Sequence, residues 1–163
     1  VENIINLAGE TNKATTFNNG DNSLRSSRVF WLTDQDWLKD VLFQYVDHSC
    51  QNAFNVNVFK NAEIQYTEYH ASENGHYDWH HDISRRQRQM CIRDRSITVQ
   101  LSDPSEYEGG DFQFTEVPNP EMDDAKQKGS VLIFPSYLMH QVSPVTKGVR
   151  KSLVAWFKGP KWQ

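Results

Sequence analysis

The sequence lacks the features that mark several classes of protein. It has only two cysteines, Cys50 and Cys91, which are too few for a disulfide framework. No apolar run approaches the roughly 20 residues that span a bilayer. The first residues do not resemble a signal peptide. These absences predict a cytoplasmic protein with no membrane segment.

Basic charge is also scarce. The chain has 17 Lys and Arg against 21 Asp and Glu, a formal net charge of −4. A nucleic-acid-binding domain usually presents a basic face, so we expect no nucleic-acid partner. No Gly-Lys-Ser/Thr follows Gly109-Gly110, which argues against a phosphate loop. No Gly-x-Ser-x-Gly surrounds Ser136, which argues against a serine hydrolase.

The composition that remains is that of one globular domain. Hydrophobic residues make up 37% of the 163 positions and aromatic residues 12%, which is enough to build a core. We predict a single domain over residues 1–163. Residues 1–27 are expected to form a mobile arm or lid, because Gly, Asn, Thr and Ser dominate 8–27. Residues 28–54 should supply a backing strand and helix, and residues 55–160 the core.

Short strands dominate the second part of the chain. The candidate strands are residues 55–60, 62–70, 77–83, 97–102, 110–115, 129–134, 139–143 and 150–158. Before them, Thr33-Asp34-Gln35-Asp36 resembles a capping box that opens a helix. The apolar stripe of that helix is predicted to contain Trp37, Val41, Leu42, Tyr45 and Val46. This order predicts a mainly β protein with flanking helices, a cupin-like jelly roll or double-stranded β-helix.

A group of metal ligands is the most informative feature. Residues i and i+2 of a strand point to one face, so His80 and Asp82 should converge while His81 turns away. His140, from a distant strand, would complete a triad of two imidazoles and one carboxylate. Such a triad leaves three metal positions open and suits Fe(II) and oxygen chemistry.

The strand after His140 carries a candidate anion site. Residues 149–157 alternate in polarity, which places Arg150, Ser152, Val154 and Trp156 on one face. An arginine and a serine hydroxyl on one face can bind a carboxylate through charge-assisted hydrogen bonds.

Two other interpretations of the histidines stay open. His80 and His140 could be structural side chains, with Asp82 orienting an imidazole and no metal bound. His76 and His81 are also competitors for a ligand position, although His81 is one residue from Asp82 and should face the opposite way.

These motifs together resemble those of the iron(II)- and 2-oxoglutarate-dependent dioxygenases, in the prolyl 4-hydroxylase-like branch. The resemblance covers roughly residues 62–160. Its matching pieces are Tyr69 through Asp82, Leu101-Ser102-Asp103-Pro104, Tyr107 through Phe112, Gly129 through His140, and Val142 through Trp156.

The resemblance implies a role for each candidate residue. His80, Asp82 and His140 would bind Fe(II), and Arg150 with Ser152 would hold the distal carboxylate of 2-oxoglutarate. Tyr69 matches a residue of the cosubstrate pocket, and Tyr77 one of the substrate pocket. Trp156 is expected in the pocket wall.

The implied reaction uses O2 and 2-oxoglutarate to hydroxylate a C–H bond, releasing succinate and CO2. Ascorbate is a candidate accessory reductant. The presence of Asp82 favours hydroxylation, because halogenating relatives lack this carboxylate. The expected substrate is a prolyl residue in a peptide. The alternatives are a free amino acid or other small metabolite, and a non-catalytic cupin-like module that binds a metal or a sugar. The sequence does not indicate an oligomeric state.

The run from Arg85 to Arg95 has three interpretations. It could be a solvated basic loop, or a patch that faces an acidic partner. The third interpretation is that Gln89 through Arg95 is a translated sequencing adapter that replaces native residues before Ile97. We therefore give this run no functional weight.

Overall fold

A computed structural model describes residues 1–14, 24–83 and 91–160, with the side chains of residues 91 and 92 left out. The described residues form three α-helices and eleven strands. The helices are α1 (Glu2–Leu7), α2 (Asp36–Ser49) and α3 (Met122–Ala125). The strands are β1 (Asn12–Lys13), β2 (Arg25–Ser26), β3 (Arg28–Trp31), β4 (Ala62–His70), β5 (His76–His80), β6 (Cys91–Gln100), β7 (Tyr107–Gly109), β8 (Phe112–Phe114), β9 (Val131–Pro135), β10 (His140–Val142) and β11 (Val145–Pro160).

The strands make two antiparallel sheets. The larger sheet has the order β1-β3-β4-β11-β6-β9, and β7 pairs with the first part of β11. The smaller sheet has the order β2-β5-β10-β8. The strands of both sheets come from distant parts of the sequence, as in a jelly roll. This is the mainly β, helix-backed architecture that the sequence predicts.

Strand β11 lies in the middle of the larger sheet and uses both of its faces. Its side chains Leu153, Ala155 and Phe157 are fully buried in the main apolar cluster. The alternate residues Arg150, Ser152, Val154 and Trp156 line a cleft on the other face. The period of two in this strand therefore separates the core from the candidate site.

Helix α2 covers the outer face of the larger sheet, but with a different stripe from the predicted one. Leu38, Leu42 and Val46 are buried in the main cluster. Burying such side chains stabilises the fold by about 1.5–3 kcal/mol each. By contrast, Trp37, Val41 and Tyr45 are exposed. The predicted stripe was wrong at these three positions, because each lies about 100° around the helix from its buried neighbour.

The predicted capping box is also wrong. The helix begins at Asp36, and Gln35 precedes it as the N-cap residue without a side-chain hydrogen bond to the helix. The Thr33 hydroxyl accepts a hydrogen bond from the backbone N–H of Ile64 instead, at 3.1 Å. Thr33 therefore fastens the start of the helix to β4.

Most predicted strands form, with shifted ends. The candidate 62–70 corresponds to β4 without change, whereas 150–158 is the second part of the much longer β11. The candidate at 55–60 is wrong. A π-helical turn (Cys50–Phe54) follows α2, and Asn55 takes a left-handed φ of 50°. Residues 55–60 join no strand, although the Phe59 N–H donates to the Lys158 carbonyl of β11 at 2.7 Å.

The structure describes only parts of the predicted N-terminal arm and of the basic run. Within the predicted arm 1–27, α1 places Ile4 in the main cluster, and residues 15–23 lie outside the described residues. The arm or lid stays a prediction. One interpretation of the basic run was a solvated loop, but its last residues, from Cys91 on, belong to β6, while residues 84–90 lie outside the described residues. No described helix has the length and apolarity needed to cross a bilayer.

Gly148 allows β11 to pass close to residue Glu106. Its φ is +69°, and a Cβ there would lie 2.0 Å from the Glu106 carbonyl oxygen. Gly129 also has a positive φ, +94°, but a Cβ there would meet only a Val1 methyl at 3.9 Å. We expect Gly129→Ala to cost about 1–3 kcal/mol for the conformation alone, and Gly148→Ala to cost more.

Thermal unfolding of both variants measures the difference. Each additional kcal/mol of strain should lower the Tm by about 2–4 °C in a domain of this size. Equal Tm values for the two variants would show that the contact with Glu106 carries no strain.

Candidate functional site

His80 and Asp82 converge although they do not share a regular strand. Strand β5 ends at His80 and the chain bends at Asp82, so the predicted strand 77–83 is too long. The Asp82 N–H donates to the Ser136 carbonyl at 3.0 Å, which fastens this bend to the end of β9. The Asp82 carboxylate is buried, and its Oδ1 lies 3.6 Å from His80 Nε2.

His140 comes from the neighbouring strand of the smaller sheet. It begins β10, and its Cα partner across the sheet is His80. His140 Nε2 lies 3.5 Å from Asp82 Oδ2. One ligand atom of each of these three residues lies within 4.8 Å of the other two. The structure therefore brings the three predicted metal ligands to one point.

Both imidazoles present the nitrogen that a metal needs. Nδ1 of His80 bonds the Asp78 carbonyl at 2.7 Å, and Nδ1 of His140 bonds the Leu138 carbonyl at 2.9 Å. A carbonyl can only accept, so each Nδ1 carries the proton and each Nε2 keeps a free lone pair. Two causes lower the pKa of His80 to about 4: the larger is burial of the ring, and the smaller is the nearby His140. This ring is therefore neutral at pH 7, as metal binding requires.

The three candidate ligands line a cleft between the two sheets, whose open volume of about 430 Å³ includes the solvent at its mouth. Aromatic rings surround the imidazoles on several sides. Tyr77 stacks on His80 with ring centroids 3.4 Å apart, Phe112 lies 5.3 Å from His140, and Phe134 packs edge-on at 4.8 Å. These rings restrict the orientation of both imidazoles and keep water away from them.

Arg150 lines the same cleft as a buried cation. Its antiparallel partner on β4 is Tyr69, whose ring lies 5.7 Å from the guanidinium carbon. No carboxylate of the described residues pairs with it. A Cβ at Gly110 would lie 2.8 Å from Arg150 Cδ, so the glycine makes room for this side chain. A buried charge without a counter-ion is costly, and the arrangement therefore favours an anionic ligand.

The remaining predicted site residues also line the cleft. Tyr69 and Ser152 lie near Arg150 in the sheet, and both are buried. Tyr77 and Trp156 form other parts of the wall. Burial raises the pKa of Tyr77 to about 12, so its hydroxyl stays protonated at neutral pH.

The two competing histidines lie outside this group. His81 is exposed, and its Nδ1 bonds the Tyr137 carbonyl at 2.6 Å. The His76 Nδ1 bonds the Asn74 carbonyl at 2.6 Å. Among the described residues, only His80, Asp82 and His140 form a group of three potential metal ligands.

Comparison with known proteins identifies the family. The model of the 2OG-Fe(II) oxygenase superfamily matches residues 64–158, more than half of the chain and all three candidate ligands. The chain belongs to this superfamily. The prediction drawn from its motifs is confirmed at this level.

Curated relatives match the chain over part of their own length. A PKHD-type hydroxylase of Parvibaculum lavamentivorans is 37% identical over 82 residues, 50% of this chain and 36% of that protein. One of Idiomarina loihiensis is 30% identical over 112 residues, 68% of this chain and 50% of that protein. The matches thus span between about a third and a half of the relatives' own length.

Solved structures share the fold of this chain. A prolyl 4-hydroxylase of Pseudomonas putida superposes with a TM-score of 0.66 at 20% identity, covering 92% of this chain and 78% of that one. A viral collagen prolyl hydroxylase of Paramecium Bursaria Chlorella virus-1 gives 0.67 at 18% identity, covering 97% and 88%. These likenesses confirm the predicted double-stranded β-helix.

Sequence reasoning missed several residues of the candidate site. Gln65 is one of them, although it lies four residues before Tyr69 in a correctly predicted strand and therefore on the same face. Phe112 lies in the predicted strand 110–115 and in a motif that carries the resemblance, but the sequence assigned it no role in the site. Arg25 and Ser96 gave no local signal. Arg25 lies in the cleft because β2 pairs with β5. Ser96, on β6, contacts Asp82 through a hydrogen bond between their side chains.

Proposed function

We propose that this chain catalyses the Fe(II)- and 2-oxoglutarate-dependent hydroxylation of a C–H bond, with release of succinate and CO2. One observation supports the proposal above all others. Three metal ligands and an unpaired buried guanidinium, that of Arg150, face one cleft.

The donor set fits ferrous iron. His80, Asp82 and His140 would hold it through two imidazole nitrogens and one carboxylate, and these three protein ligands leave other positions free for a cosubstrate and O2. When bound, the iron with 2-oxoglutarate and O2 supplies the oxidation that turns a substrate C–H into C–OH. The protein supplies the geometry of the ligands, a cavity wall that excludes water, and a fixed position for each reactant.

Arg150 would anchor the cosubstrate. Its guanidinium can form paired hydrogen bonds with the distal carboxylate of 2-oxoglutarate, and this anion would neutralise its buried charge. Ser152, two residues along the same face of β11, would donate a further hydrogen bond, and the Tyr69 ring would form the adjacent wall. On this assignment Arg150 of the larger sheet would hold the far end of the cosubstrate, and the three metal ligands would face its other end.

Ser96 would hold the carboxylate ligand in place. Its hydroxyl is fully buried, donates to Asp82 Oδ2 at 2.7 Å and lies 2.9 Å from the Ser136 hydroxyl. Loss of such a supporting bond usually lowers metal affinity about 10- to 100-fold. We expect this loss for Ser96→Ala in an anaerobic Fe(II) titration.

A matched control is Ser105→Ala. The Ser105 hydroxyl also donates to a carboxylate, Asp103, at 2.6 Å, but on an exposed turn. This variant should bind Fe(II) like the unaltered protein. If Ser96→Ala also did so while remaining folded, the positioning role of Ser96 would be refuted.

The proposed substrate is a prolyl residue in a peptide, a proposal that rests on the prolyl hydroxylases among the structural neighbours. Tyr77 and Trp156 would form the wall against which this substrate packs. A free amino acid or other small metabolite is the second candidate. We further propose that ascorbate sustains turnover by keeping the iron reduced.

Two measurements test the proposal. Anaerobic addition of Fe(II) and 2-oxoglutarate should produce a weak visible charge-transfer band, which a cupin-like metal- or sugar-binding module would lack. Air should then yield succinate, and a screen of proline-rich peptides, free proline and other metabolites should find a product heavier by one oxygen atom. A protein that binds Fe(II) but gives neither band nor succinate is not an oxygenase.

A further inference from the structure

Two hydrogen-bond donors of the cleft have no role in the proposed binding of iron and 2-oxoglutarate. They are the guanidinium of Arg25 and the indole N–H of Trp156, and both residues line the cleft. Arg25 comes from the smaller sheet and Trp156 from the larger one. The cleft therefore has donors on two opposing walls besides those that face the cosubstrate.

Arg25 is held in place by neutral groups. Its Nε donates to the Ser27 hydroxyl at 2.7 Å and its Nη2 to the Gln65 side-chain carbonyl at 2.9 Å. No carboxylate of the described residues forms an ion pair with it. These bonds orient the guanidinium without neutralising its charge, and they leave further N–H groups free.

The position of Arg25 relative to the metal ligands follows from Tyr77. The imidazole of His80 covers one face of the Tyr77 ring, with centroids 3.4 Å apart and planes within 9°. The Arg25 guanidinium lies 4.6 Å from the centroid of the same ring, and it must use the opposite face. The Tyr77 ring therefore separates the Arg25 guanidinium from His80, a proposed iron ligand.

The indole of Trp156 is the second donor. The residue is 6% exposed, and its Nε1 has no acceptor among the described residues. A buried N–H without an acceptor is costly. On the sheet, Trp156 lies opposite Glu63, and Val154 lies opposite Gln65. Trp156 is therefore the diagonal neighbour of Gln65, whose amide holds Arg25.

We propose that Arg25 and Trp156 together bind a carboxylate of the substrate. A guanidinium and an indole N–H both donate, and an anion satisfies the charge of one and the missing bond of the other. Arg150 is separate from this pair, because it lies on a different part of β11 and serves the cosubstrate. The inference rests on the proposed function and narrows its substrate class to molecules with a carboxylate near the oxidised carbon.

The carboxylate could come from two sources, which matched probes distinguish. One pair is L-proline and L-prolinamide, which differ in a free α-carboxylate. The other is a capped peptide with glutamate beside proline and the same peptide with glutamine. We expect one carboxylate probe to bind at least about 10-fold more tightly than its amide, the worth of a charged hydrogen bond.

The Trp156 indole reports binding directly. The chain has five tryptophans, and Trp156→Phe identifies the signal of this one in a ¹⁵N spectrum. With Zn(II) in place of Fe(II) and 2-oxoglutarate present, the carboxylate probe should shift this signal and its amide should not. Arg25→Gln should weaken the response about 10- to 100-fold, and Arg25→Lys should restore part of it.

Arg28→Gln is the matched control. Arg28 lies three residues further along, and its guanidinium is already paired with Glu73, so the response should persist. The proposal is overturned if neither carboxylate moves the indole signal, if the amides move it equally, or if Arg25→Gln responds like the unaltered protein. Succinate formation without added substrate judges the proposed function separately, because it requires neither probe.

Discussion

Replacing His140 by alanine is expected to abolish 2-oxoglutarate turnover. Loss of a residue that merely supports a ligand costs about 10- to 100-fold in metal affinity, and loss of a ligand itself should cost more. Anaerobic Fe(II) titration and succinate release should both show a fall of more than about 100-fold. His140 is buried against Phe112 and Phe134. The Tm of the variant should therefore be measured alongside both assays, to show that it is folded.

His81→Ala controls for the loss of a histidine near the site. His81 directly follows a proposed ligand, but its side chain is exposed and faces the Tyr137 carbonyl. This variant should keep both Fe(II) binding and turnover. A folded His140→Ala protein that still binds one equivalent of Fe(II) and forms succinate at the normal rate would refute the ligand assignment.

Replacing Arg150 by methionine is expected to weaken 2-oxoglutarate binding without removing the metal. Truncating one partner of a buried charge pair costs about 2–5 kcal/mol, or roughly 30- to 5,000-fold in affinity. The cosubstrate-free variant should be at least as stable as the unaltered protein, because a buried charge without a counter-ion is gone. Titration with 2-oxoglutarate and thermal unfolding with and without it measure both effects.

Two further variants serve as comparisons for Arg150→Met. Arg150→Lys keeps the charge but not the planar fork of donors, so its affinity should be intermediate. Lys147→Met removes an exposed cation of the same strand that pairs with Glu108, and it should change neither property. If Arg150→Met bound 2-oxoglutarate normally, the cosubstrate would have to be anchored by another residue.

The candidate site was predictable where its information is local. The spacing of His80 and Asp82 and the alternation from Arg150 to Trp156 both follow from the period of two in extended chain. The first case shows the limit of that logic. His80 and Asp82 converge through a bend at the end of β5, which the Ser136 carbonyl fastens, and not through a continued strand.

The predictions that were wrong concern choices that neighbours in space decide. The sequence of α2 offers two adjacent apolar faces, and only contact with the larger sheet selects Leu38 over Trp37. The stretch at 55–60 alternates polar and apolar residues at its start, as a strand does. In the structure a π-helical turn precedes it, and isolated hydrogen bonds, such as that from the Phe59 N–H to the Lys158 carbonyl, join it to β11 without a strand ladder.

The sequence by itself determined the fold class, the three candidate ligands and the polar face of β11, because each depends on residue type and short spacing. Only the tertiary structure decided that Ser96 reaches Asp82 and that Arg25 lies over Tyr77. The first contact joins β6 of the larger sheet to the bend after β5, and the second joins two paired strands of the smaller sheet that lie far apart in the chain. No local sequence pattern encodes either contact.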